Sequence, residues 1–174
     1  GVLAPDGKIY FAPCCARRVL AVDPDAHTAS MIGPDIPGED SYTAPGVLAP
    51  DGKIYFAPCC ARRVLAVDPR THTASMICPD IPGEYSYTAP GVLAPDGKIY
   101  FAPCCARRVL AVDPHAHTAS MIGPDIPGEC KYMASGVLAP DGKIYFAPCC
   151  ARRVLAVDPH AHTASMIGPD IPGE

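Results

Sequence analysis

One 45-residue unit recurs four times in this chain of 174 residues, opening each time on Gly-Val-Leu-Ala-Pro-Asp-Gly-Lys-Ile-Tyr. The copies occupy 1–45, 46–90, 91–135 and 136–174, and the fourth stops six residues short of a full period. Only seven of the 45 positions differ among the copies that contain them. Two are the pair 25–26 with its equivalents, one is position 33, and four lie in the segments 40–45, 85–90 and 130–135. Nearly all of these differences need a single nucleotide change, as expected of a recent amplification followed by mild drift. Recurrence of a residue is therefore a copying result and does not mark that residue as functional.

Within one unit the prolines and glycines act as punctuation. Gly1–Pro5 is a short apolar run, followed by Asp6-Gly7. An Asp-Gly pair between apolar runs predicts a tight hairpin, because both residues accept the positive φ such a turn demands. Lys8–Pro13 and Arg18–Asp23 read as second and third strands, and Thr28–Ile32 as a weaker fourth. Pro34–Pro45 is a long connector. No 3.6-residue stripe survives the prolines, so helices are not expected. In Lys8–Pro13 the alternating faces are Ile9 and Phe11 against Tyr10 and Ala12, apolar on both sides. Such a sheet has to be covered on both faces, and blades stacked radially around an axis provide that cover.

A four-stranded repeat of about 40–50 residues predicts a β-propeller blade. The wording of the unit, APDGKIYFAP followed by VLAVDP, resembles YVTN and NHL propeller blades and other repeat propellers of the form GVLAPdGKIY…VLxxDP. That resemblance covers all four copies. It implies an all-β single domain over 1–174, with the GVLAP strand innermost. It also implies that the Cys14–Arg17 and Pro34–Pro45 connectors share one face of the disc. The Asp-Gly and Asp23–His27 turns would share the other. The chain begins on a first strand and ends after a fourth, so no strand exchange between its ends is expected to clasp a ring. Three outcomes stay open: a closed four-bladed ring, half of an eight-bladed ring completed by a second copy, or part of a longer array.

Charge and hydropathy exclude some partners. A net charge of −4 offers no basic footprint for nucleic acid. No apolar run approaches the roughly 18–20 residues of a membrane span, and no basic-then-apolar leader opens the chain. The first residue is Gly1 rather than Met, so trimming, and loss of an upstream signal with it, is an expectation here.

Ten cysteines are the first candidates for chemistry, eight of them in adjacent pairs at Cys14-Cys15, Cys59-Cys60, Cys104-Cys105 and Cys149-Cys150. A ring of thiolates holding a soft metal is the sharp reading. Adjacent cysteines diverge on a strand, and zinc sites favour wider spacing, so packing of one thiol with its neighbour half exposed is preferred. Cys78 and Cys130 read as products of drift. Unpaired thiols suit a reducing, cytoplasmic compartment. Arginine pairs at Arg17-Arg18, Arg62-Arg63, Arg107-Arg108 and Arg152-Arg153 could line an anion funnel. The competing expectation is that they pair with Asp35, Glu39 and their equivalents. The ligand-face candidates are therefore Cys14, Arg17, Cys59, Arg62, Cys104, Arg107, Cys149 and Arg152. His115 and His117, like His160 and His162, lie in an exposed turn and predict at most adventitious metal binding.

Catalysis needs different groups converging from different blades, and near-identical blades do not supply them. No catalytic residue, cofactor or metal is expected. The preferred reading is a non-enzymatic binding or scaffold module with an unidentified protein or small ligand. A lyase or lactonase on a propeller is the alternative, and a recently amplified array without an evolved ligand is a second.

Overall fold

In a computed structural model that describes residues 1–172, all regular structure is β. Blade 1 contains β1 (Val2–Leu3), β2 (Ile9–Phe11), β3 (Val19–Asp23) and β4 (Thr28–Ile32). Blade 2 contains β5 (Val47–Leu48), β6 (Ile54–Phe56), β7 (Val64–Asp68) and β8 (Thr73–Ile77). Blade 3 contains β9 (Val92–Leu93), β10 (Ile99–Phe101), β11 (Val109–Asp113) and β12 (Thr118–Ile122). Blade 4 contains β13 (Val137–Leu138), β14 (Ile144–Phe146), β15 (Val154–Asp158) and β16 (Thr163–Ile167). Each blade is a separate antiparallel meander with its strands in sequence order.

The registers follow from the turns. In blade 1 the Gly7 amide donates to the Ala4 carbonyl at 3.0 Å, which closes the Asp-Gly hairpin and sets Val2 opposite Tyr10. Asp23 Oδ1 accepts the amides of Asp25 and Ala26, so its side chain caps the second hairpin and Asp23 faces Thr28. Tyr10 pairs with Ala21, and Phe11 with Leu20. The period of two then puts Tyr10, Val19 and Ala21 on one face, and Ile9, Phe11, Leu20 and Val22 on the other.

These two faces are complementary. The Tyr face of blade 1 (Tyr10, Val19, Ala21) packs with Ile54, Phe56, Leu65 and Val67, the Phe face of blade 2. Blade 2 meets blade 3 in the same way, through Tyr55, Val64 and Ala66 against Ile99, Phe101, Leu110 and Val112. Blade 3 meets blade 4 through Tyr100 and Val109 against Ile144, Phe146, Leu155 and Val157. One interface is thus built three times, each burying apolar side chains at roughly 25 cal/mol per Å².

A fourth interface, between the Tyr face of blade 4 and the Phe face of blade 1, is missing among the described residues. Phe11 is 39% exposed, whereas Phe56, Phe101 and Phe146 are 1%, 0% and 0% exposed. Val137 at the other end is 66% exposed, whereas its equivalents Val47 and Val92 pack on the internal clusters. The closed four-bladed ring, one of the expected outcomes, is therefore not what these blades form. They make an open row with a Phe face at one end and a Tyr face at the other. The connectors account for the row: each fixes one blade on the next through backbone bonds.

Candidate functional site

The Cys14–Arg17 and Pro34–Pro45 connectors meet on one face of the row, as expected, and their bonds explain how that face is held. The 33–46 segment first binds its own blade. Ile36 N donates to the Arg17 carbonyl at 2.7 Å, and Ser41 N donates to the Cys14 carbonyl at 3.2 Å. It then crosses to the next blade, where the amides of Cys59 and Cys60 donate to the carbonyls of Ser41 and Asp40. The Tyr42 hydroxyl donates to the Arg63 carbonyl at 2.8 Å. Tyr87 and Tyr132 repeat this contact with Arg108 and Arg153. Backbone bonds to the cysteine pairs thus stitch blade to blade.

The cysteine side chains are packed much as expected in the inner blades. Cys59 and Cys104 are buried, and Cys60 and Cys105 half-buried. Cys149 and Cys150 are both exposed. The expected divergence of adjacent thiols does not hold: Cys14 Sγ and Cys15 Sγ lie 3.9 Å apart. These residues sit in a bend between β2 and β3, so strand alternation does not govern where they point. Cys14 also donates to Asp40 Oδ1 at 3.3 Å, and this bond, with burial second, raises its thiol to about 11. Two groups gather three potential ligand atoms within 4.8 Å: Cys14, Cys15 and Asp40, and Cys104, Cys105 and Cys130. Position 40 of the repeat, one of the drifted positions, supplies the third member of each. In blade 2 that position is Tyr85.

The arginines take the pairing that competes with an anion funnel. Arg18 Nε donates to Asp35 Oδ1 at 2.7 Å, with Arg17 on the same carboxylate at 3.6 Å. Arg62 and Arg63 share Asp80, Arg107 and Arg108 share Asp125, and Arg153 binds Asp170. Hydrogen bonds from Arg18, Arg63, Arg108 and Arg153 hold these four carboxyls below the ordinary carboxylate range. The first arginine of each bonded pair stays largely in solvent. Arg107 is the most open of the three, its side chain 82% exposed. Arg107 and Cys105 also line two neighbouring cavities. One of about 400 Å³ is bounded by Asp125, Pro127 and Glu129, and one of about 610 Å³ by Ile81, Pro82 and Met121. Of the sequence candidates, Arg107 lines these cavities beside Cys105, whereas Cys104 is buried behind them and Cys14 and Cys59 belong to equivalent bends on other blades.

The opposite face carries a chain of bonds that no single repeat reveals. Tyr10 donates to Asp6 Oδ2 at 2.7 Å, and its hydroxyl lies 3.2 Å from Nδ1 of His72 in the next blade. Tyr100, Asp96 and His162 repeat the arrangement. Burial, with the Asp6 bond second, pushes the Tyr10 phenol well above its ordinary value. A phenol held protonated between a carboxylate and the next blade's imidazole is a structural bond. His115 and His160 lie in the same exposed turns.

No family model matches the chain, and no curated protein matches it. Solved structures do. The virginiamycin B lyase of Staphylococcus aureus superposes with a TM-score of 0.73 at 14% identity, over 99% of this chain and 55% of that one. A streptogramin B lyase gives 0.71 at 17% identity, over 99% and 54%. The extracellular domain of a one-component system from B. thetaiotaomicron gives 0.63 at 9% identity, over 99% and 24%. The shared property is the architecture. These blades are β-propeller blades. The chain spans about half the length of the lyases, 54–55%.

Proposed function

We propose that this chain is a non-enzymatic scaffold module, half of an eight-bladed propeller that a second copy completes. The observation that carries the reading is the pair of unsatisfied end faces. The Phe face of blade 1 and the Tyr face of blade 4 are the two halves of the interface that already joins the internal blades. A second copy placed head to tail offers each face the partner it has elsewhere in the row. Such heterologous contacts close a ring when the rotation allows. The blade wording favours the YVTN and NHL type of propeller. The finished disc presents the connector face, with Arg17, Arg62, Arg107 and Arg152 at its surface, to a protein or small ligand. A reducing compartment keeps the cysteine pairs free.

The absence of a catalytic role rests on symmetry. Asp, Tyr and His make the same structural bonds where blade 1 meets blade 2 and where blade 3 meets blade 4, and among the described residues this repeated arrangement offers no differentiated acid and base.

Charging either end face tests the assembly. Phe11→Glu and Val137→Glu each place a carboxylate on one half of the joint, and each is expected to leave a folded monomer by sedimentation. Persistence of the wild-type assembly in both variants would contradict the reading. In a parallel assay quinupristin, the ligand bound to an inactive form of the S. aureus lyase, is expected to remain unchanged. Its turnover would favour the lyase alternative.

A further inference from the structure

We propose that Cys104, Cys105 and Cys130 form a three-thiolate site for a divalent thiophilic d10 metal ion of the zinc or cadmium type. The three Sγ atoms lie within 4.8 Å of one another on the connector face of blade 3. Metal–sulfur bonds of about 2.3 Å imply sulfur–sulfur separations of about 3.8–4.0 Å in a tetrahedral or trigonal centre. Closure therefore requires each pair to approach by no more than about 1 Å. The bend that holds Cys104 and Cys105 directs both thiols to one side, and the backbone fixes Cys130 against them. Its neighbour Lys131 donates its amide to the Cys104 carbonyl at 3.2 Å.

Lys131 is the second, independent observation. It is 1% exposed, and its Nζ donates to the Gly128 carbonyl at 2.6 Å. Blades 1 and 2 have Ser41 and Ser86 here, so blade 3 gained a thiol and a buried cation side by side. Three thiolates around a divalent ion leave one negative charge, which the Lys131 ammonium balances. A buried charge needs such a partner, and a monovalent ion would leave an excess negative charge. Binding releases the three thiol protons to solvent. Cys105 also borders both neighbouring cavities, so the thiol cluster is reachable from the connector face. The group in blade 1 offers two thiols, one carboxylate and no lysine, and blade 2 offers Tyr85 in place of a third ligand.

The test is a cadmium titration of the reduced, chelator-treated protein, followed by thiolate-to-cadmium charge-transfer absorption. One tight equivalent is expected. Cys130→Ser should weaken it by roughly 100-fold or more, while Cys78→Ser leaves it unchanged. Tyr85→Cys combined with Ser86→Lys supplies blade 2 with both the third thiol and the lysine and should add a second equivalent. Cys130 is exposed, so the metal-free Cys130→Ser protein should melt as the wild type does, separating ligand loss from misfolding. Absence of a tight equivalent, one equivalent for each cysteine pair, or tight binding that survives Cys130→Ser would overturn the assignment.

Discussion

Position 33 of the repeat shows how sharply a single residue can be constrained. Gly33, Gly123 and Gly168 adopt φ of 78°, and Cys78 is held at 75° in the same place. A Cβ at Gly33 would come within 2.6 Å of the Ala74 side chain in the next blade. Cys78 therefore carries left-handed strain, and burial raises its thiol to about 11. Cys78→Gly should stabilise the protein by about 1 kcal/mol, the cost of a side chain in left-handed backbone. Urea unfolding measures it, and an unchanged or lower midpoint would refute the account. The sequence identified Cys78 as a drifted glycine, but only the inter-blade contact reveals what the change disturbs. The Tyr10–His72 contact was hidden for the same reason, since its partners lie 62 residues apart. The recurring spacing of Asp6, Tyr10 and His27 was the one available signal.

At the scale of the element, the strands were legible because each hairpin is set locally. Asp6-Gly7 and Asp23 fix their turns with their own backbone and carboxylate bonds, so Thr28–Ile32 was read to the residue. The first strand shrank to Val2–Leu3 because Pro5 and the turn consume the rest. The course of the connector was not legible, since Pro34–Pro45 has no periodic pattern and takes its shape from backbone groups on two blades. Its Arg–Asp pairs predict a pH dependence. Asp35, Asp80, Asp125 and Asp170 titrate below their unfolded value, so the native state holds fewer protons on them in acid. Their stabilisation is complete above about pH 4 and is lost as pH falls through the lowered values. A melting temperature that declines below about pH 4, less steeply in high salt, is the expected result. A flat profile from about pH 6 to pH 2 would contradict it. The pairs are exposed, so the decline should be modest.

For the whole molecule, the repeat gave the blade and its period but left open how the row ends. Closure depends on the rotation between blades, which is a property of the interface and not of any one unit. In the proposed assembly the near-identity of the copies is what lets the end faces fit each other, and the same property argues for a non-enzymatic scaffold. It is also why a head-to-tail second copy is the proposed occupant, since each end face has the surface that meets its counterpart between the internal blades. Apolar ends left bare would instead promote aggregation. The proposed eight-bladed ring stands or falls on the molar mass of the wild-type protein by light scattering. A single species at twice 18.2 kDa is expected. A stable species at 18.2 kDa that unfolds cooperatively, or a ladder of higher multiples, would contradict it.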